Sequence, residues 1–164
     1  MQAKDAIKSA LNSTQNMLEM YLSDLSDADL LVRPVPNANH IAWQLGHLIL
    51  SEPELVHMEL ADAAYPKLPA GFEEQHSKVT AAVDPPKGFR SKAEYLALAK
   101  EVRRATLALL DKMSDADLGR ASTGKMAKWT PTVADLFLLL STHTMMHAGQ
   151  FTVVRRKLGK PVLM

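Results

Sequence analysis

The chain has 164 residues, of which 47% are hydrophobic and 23% charged, with a formal net charge of +1 and no cysteine. That length suits one domain, expected to span residues 1–164. The near-neutral balance supplies no field to gather nucleic acid or an anionic membrane. The missing cysteines exclude a disulfide framework, a thiolate nucleophile and any Cys-ligated zinc or iron–sulfur centre.

The N-terminus, Met1-Gln2-Ala3-Lys4-Asp5, lacks the apolar run of a signal peptide, and no stretch approaches the length of a membrane span. A cytoplasmic location is the expectation.

Helical periodicity dominates. Ile7, Ala10, Thr14, Met17 and Tyr21 recur at steps of three and four and predict a first helix. Pro34 and Pro36 end the following segment, and Asn37 or Asn39 is placed to cap a second helix carrying His40, Trp43, His47 and Leu50 on one seam. A connection rich in proline and glycine then runs from Ala61 to Arg90. It is either a functional lid or a plain crossover. Ser91-Lys92-Ala93-Glu94 has the form of a capping box and opens a third helix, striped by Tyr95, Leu98, Val102, Ala105, Leu109 and Met113. The fourth helix begins near Thr130-Pro131-Thr132, with proline suited to its first turn, and stops by Gly159-Lys160-Pro161. Its stripe is Leu136, Leu140, His143, His147 and Val154. No segment alternates as a strand does. The fold class is therefore all-α, a four-helix bundle with a long loop between its second and third helices.

A short repeat divides the chain in two. Leu25-Ser26-Asp27-Ala28-Asp29-Leu30 returns as Met113-Ser114-Asp115-Ala116-Asp117-Leu118. In each copy Ser-x-x-Asp predicts a capped helical turn.

His143 and His147 are four residues apart, which stacks two imidazoles on one helix face. His47 sits in the seam of the second helix. Three inward imidazoles need partners, because an unpartnered buried polar group costs roughly 2–7 kcal/mol. A shared divalent ion would satisfy all three and keep a coordination position open, as catalytic sites do. Spacing alone leaves a second reading, three core histidines each hydrogen-bonded on its own. His40 is seven residues from His47, roughly 10 Å along a helix, too far to share an ion and expected at the bundle mouth. Glu54 reads as a solvated or capping carboxylate. His57 and His76 read as surface residues, Met145 and Met146 as core fillers. Arg155, Arg156 and Lys157 read as cations favoured at a helix C-terminus. Gln44, Ser51 and Gln150 flank the histidines as candidate outer donors.

The run Asn39-His40-Ile41-Ala42-Trp43-Gln44-Leu45-Gly46-His47-Leu48, then Trp129-Thr130-Pro131-Thr132-Val133, then His143-x-x-x-His147-Ala148-Gly149-Gln150, then Arg155-Arg156-Lys157-Leu158-Gly159, resembles the DinB/YfiT-like superfamily. The resemblance implies a four-helix bundle whose His47, His143 and His147 take a divalent transition metal, zinc or nickel first. It implies a small-molecule substrate with a low-molecular-weight thiol as co-substrate, since characterised relatives include thiol-dependent S-transferases and a thiol-dependent isomerase. A metal-dependent hydrolase and a non-catalytic, stress-related metal-binding protein are the alternatives. A homodimer is a further expectation, since relatives pair through bundle faces. Neither nucleic acid nor membrane is an expected partner.

Overall fold

The computed structural model describes residues 2–163. Helix α1 spans Ala3–Leu22, and a 3₁₀ turn follows at Asp29–Leu31. Helix α2 spans Ile41–His57. Two short helices, α3 (Phe72–Gln75) and α4 (Lys78–Ala81), lie in the long connection. Helix α5 (Lys92–Lys112), the short α6 (Asp115–Gly119) and α7 (Val133–Lys157) complete the chain. Among the described residues there is no strand, only an isolated bridge between Ala121 and Thr132. Helix α1 packs on α7 and α5, and α2 packs on α5 and α7, so the four long helices form the expected bundle. No helix among the described residues is long and apolar enough to cross a membrane.

Local chemistry sets the helix starts. Ser91 and Glu94 exchange side-chain and backbone hydrogen bonds at the head of α5. Ser114 with Asp117 and Thr132 with Asp135 do the same for α6 and α7. Ser26 and Asp29 form the equivalent pair in the first copy of the repeat. Each satisfies two backbone donors that a helix start leaves free. Two expected starts differ. Pro131 lies before the N-cap Thr132, outside the first turn of α7. The cap of α2 is neither Asn37 nor Asn39 but His40, whose Nδ1 accepts the Trp43 amide at 3.2 Å. Asn37 instead takes a left-handed conformation, φ 66°, which asparagine tolerates.

The core has two parts. One gathers Leu18, Leu22, Leu45, Ile49, Val102, Ala148 and Phe151. The other gathers Ile7, Leu11, Val56, Leu110, Phe137 and Leu140. On α1 the deepest residues include Leu11 and Leu18 rather than Ala10 and Met17; on α5, Thr106 and Leu110 lie deeper than Ala105 and Leu109. Met145 and Met146 are exposed on α7 and fill no core space.

Three charged or polar residues read as peripheral are buried. Arg155 is fully buried and bonds the Tyr21 carbonyl, the Pro161 carbonyl and Asp24. His40 is likewise enclosed, with its ring edge-on to Phe89. His76 turns inward from the long connection. Its Nδ1–H donates to the Phe72 carbonyl at 2.7 Å, which leaves Nε2 to accept from the Tyr95 hydroxyl at 2.8 Å. The ring rests on α2 at Gly46, where a Cβ would stand 1.9 Å from its Cδ2. Arg33, which also bonds the Ala38 carbonyl, holds a later part of the same connection through the carbonyls of Ala81 and Val83 and the Asp84 carboxylate. The 61–90 segment is thus anchored at His76 and again at residues 81–84.

Candidate metal centre

The three predicted histidines meet where the two parts of the core adjoin. On α7 they fall between Leu140 and Ala148, and on α2 His47 lies between Leu45 and Val56. One ring nitrogen from each of His47, His143 and His147 lies within 4.8 Å of the others. Ring centroids are 5.3 Å apart for His47 and His143, 5.2 Å for His47 and His147, and 4.9 Å for His143 and His147. The i, i+4 spacing on α7 and the close contact of α2 with α7 produce this convergence.

Hydrogen bonds determine which nitrogen of His147 faces the cluster. The Gln44 amide donates its Nε2 hydrogen to the Asn39 carbonyl at 2.9 Å, which orients the amide. Its Oε1 can then only accept, so His147 Nδ1–H donates to it at 2.8 Å. In the neutral ring Nε2 carries a bare lone pair. That atom is buried and has no hydrogen-bond partner. A buried acceptor left unpartnered beside two further imidazoles fits a cation as its partner.

His47 is oriented by its neighbours. The Trp43 ring stacks on it at 5.2 Å with planes 7° apart. The Ser51 hydroxyl donates to the His47 carbonyl at 2.6 Å and lies 3.3 Å from its Nδ1. Trp43 is itself tied to the long connection by its indole N–H, which donates to the Ser77 carbonyl at 2.9 Å. Of the three expected outer donors, Gln44 and Ser51 reach the histidines, whereas Gln150 is exposed.

Burial holds all three imidazoles below the ordinary histidine value. His147 is lowered to about 4, with His143 and His47 adding repulsion. His143 is lowered by burial, and His47 by burial, then by His143 and Lys78. Neutral imidazole is the form that ligates. Three such ligands, with no fourth His, Cys, Asp or Glu in the group among the described residues, describe an open rather than a closed site.

Two of the three histidines, His47 and His143, also line a cleft of about 270 Å³, together with Ser51, Glu54, Leu55, Met58, Met126 and Leu139. His40 stands apart from the group, and His57 is exposed with its ring edge-on to Tyr65.

The sequence reading missed one buried assembly beside the centre. Glu52, next to Ser51, is paired with Arg103 of α5, and Arg103 also reaches Thr144, next to His143. A stripe of Arg103, Thr106 and Leu110 at steps of three and four was the signal available for it.

A family model described as the DinB superfamily matches residues 10–151. No curated protein matches the chain. Among solved structures, a conserved protein from Enterococcus faecalis is 18% identical with a TM-score of 0.73, over 98% of this chain and 99% of its own. YfiT from Bacillus subtilis, described as a probable metal-dependent hydrolase with an unusual four-helix bundle topology, is 18% identical with a TM-score of 0.68, over 96% of this chain and 89% of its own. At such identity the likeness to both is one of fold.

Proposed function

The chain belongs to the DinB superfamily, and from that membership and its three converging imidazoles we propose that it is a divalent-metal-dependent enzyme acting on a small molecule. His47, His143 and His147 hold the ion. The observation that carries this reading is the buried, unpartnered Nε2 of His147, whose other nitrogen is already committed to Gln44. A bound divalent ion would supply Lewis acidity, lowering the pKa of a thiol or water brought to its open side.

The residues of the cleft favour an external thiol as the nucleophile. The chain has no sulfur nucleophile of its own. Leu55, Met58 and Leu139 give the cleft an apolar lining alongside His47 and His143, which suits a soft nucleophile and an apolar electrophile. In the transfer, sulfur bonds to the electrophilic carbon as that carbon's bond to the leaving group breaks with its electron pair on the leaving group, and the thiol proton goes to the leaving group or to solvent. Hydrolysis is the second reading. Two observations favour it: Glu54 lies on the cleft and could take a proton from water, and the description of YfiT names that chemistry.

The test is elemental analysis of untagged protein, followed by chelation and restoration with zinc or nickel. Stoichiometric metal that His147→Ala removes, and thiol-dependent turnover of an electrophile that chelation abolishes, are the expected results. Turnover that needs metal but no thiol replaces transfer by hydrolysis. Full metal retention in His147→Ala overturns the site.

A further inference from the structure

The metal cleft does not end at Glu54 and Met58. Those two residues also line a second, wider cavity of about 560 Å³, completed by His57 and Lys125. The inner part is apolar and ends on imidazoles. The outer part holds one carboxylate, one ammonium and the His57 ring, whose Nε2 is bonded to the Ala63 carbonyl. Neither the Glu54 carboxylate nor the Lys125 ammonium has a hydrogen-bond or ion-pair partner among the described residues, and they are not paired with each other. Opposite charges lining one cavity without joining leave room for a ligand that carries both complements.

Lys125 is also not on a loose loop. The Glu59 carboxylate accepts the amides of Thr123 at 2.8 Å and Gly124 at 2.7 Å, and Arg120 Nη1 at 2.7 Å. Gly124 lies so close to α2 that a Cβ would stand 2.3 Å from the Met58 carbonyl oxygen. The turn continues with the Ala127 amide donating to the Gly124 carbonyl at 3.0 Å. The end of α2 therefore pins the segment that presents Lys125 and Met126 to the cleft. Glu54 stands two helical turns from His47, roughly 10 Å along the axis.

Resting on the thiol reading above, we propose that the outer cavity is a subsite for an α-amino-acid head group, with its carboxylate on Lys125 and its ammonium on Glu54, so that the co-substrate is an aminoacyl-type thiol whose sulfur reaches the imidazole end. A carboxylate alone would leave Glu54 unpaired and repelled. An amine alone would do the same to Lys125. An uncharged thiol would use neither.

Four thiols separate these cases: L-cysteine, cysteamine without the carboxylate, 3-mercaptopropionate without the ammonium, and 2-mercaptoethanol with neither. Their affinities are read from the absorption of the cobalt-substituted protein, with wild type, Lys125→Gln and Glu54→Gln compared. Thiol acidity differs among the probes, so the decisive quantity is the change in preference on substitution. Lys125→Gln is expected to reduce the preference for cysteine over cysteamine by about two- to fivefold and leave that over 3-mercaptopropionate in place; Glu54→Gln does the reverse. Preferences unchanged in both variants overturn the subsite while leaving thiol ligation intact. If no thiol perturbs the cobalt spectrum, the thiol reading fails, and S-methyl-L-cysteine binding, followed by NMR, judges the subsite alone. Binding weakened by both substitutions supports it, and no binding overturns it.

Discussion

Arg103 Nε lies 2.9 Å from Oε1 of Glu52 and its Nη2 2.8 Å from Oε2, a two-pronged pair enclosed between α5 and α2. The same guanidinium donates to the Leu11 carbonyl of α1 at 2.8 Å and to the Thr144 hydroxyl of α7 at 3.3 Å. Thr106 adds its hydroxyl to Glu52 at 2.6 Å and exchanges a hydrogen bond with Tyr65 at 2.9 Å. One side chain thus touches all four long helices, between the two that bear the histidines.

Removing either partner leaves the other buried and unmatched. Arg103→Met is expected to cost about 3–5 kcal/mol in urea unfolding, and Glu52→Leu a similar amount. The double variant should lose clearly less than the sum, because it leaves no orphan charge. Additive losses would show that the pair is not coupled.

Gln44→Leu tests the orientation of His147. It removes the acceptor for Nδ1–H while keeping an apolar volume in the core. Zinc affinity is expected to fall about 10- to 100-fold, the usual cost of losing the acceptor behind a ligating histidine. Unchanged affinity in competition with a chelator would show that His147 needs no such partner.

His57→Ala and His76→Ala should retain the metal that His147→Ala loses. His57 is exposed, and both nitrogens of His76 are committed to Phe72 and Tyr95. Inductively coupled plasma analysis of the three variants checks this directly.

Gly46→Ala is expected to destabilise the protein by about 1–3 kcal/mol, because the new methyl meets the His76 ring at 1.9 Å. His76→Ala introduced beside it should recover part of the melting temperature. A double variant that melts below both singles would mean that the ring is not the obstacle.

His40 gives the fold a pH dependence. Burial, and then the charge of Arg33, lower it from 6.5 to about 4. The unfolded chain therefore binds the extra proton between those values. The stabilisation from holding His40 neutral is complete above pH 6.5 and is lost as pH falls towards 4. His40→Asn keeps a favourable cap for α2 but removes this titration. Its unfolding free energy should fall less steeply than the wild type's across that window, read from urea midpoints.

The four helices and the pairing of His143 with His147 on one face were legible because both depend on short-range spacing. Ser91 to Glu94, Ser114 to Asp117 and the 143–147 pair each lie within one turn, so sequence distance stands for spatial distance. Glu52 and Arg103 are 51 residues apart, and no local pattern joins them. Arg155 was hidden by its neighbours: in an Arg-Arg-Lys run at a helix end, each cation looks solvated, yet the first one points inward at Asp24. His76 lay in a segment without periodicity, and only the notch at Gly46 on another helix shows where its ring goes. The cap of α2 was misplaced by one residue from Asn39, because a histidine ring nitrogen can accept the same amide that an asparagine oxygen would.

The parallel contact between Trp43 and His47 makes the centre optically self-reporting. Trp43 is buried against the imidazole, and the chain's other indole, Trp129, is 76% exposed. Their emission should therefore separate, blue-shifted from Trp43 and red-shifted from Trp129, and Trp129→Phe leaves the inner fluorophore alone. An open-shell ion such as nickel or cobalt next to His47 would quench it, whereas closed-shell zinc would not. Protonation of His47 in metal-free protein would quench it too. Titrating the bare protein with each ion thus reads both occupancy and electronic type from light the chain emits itself.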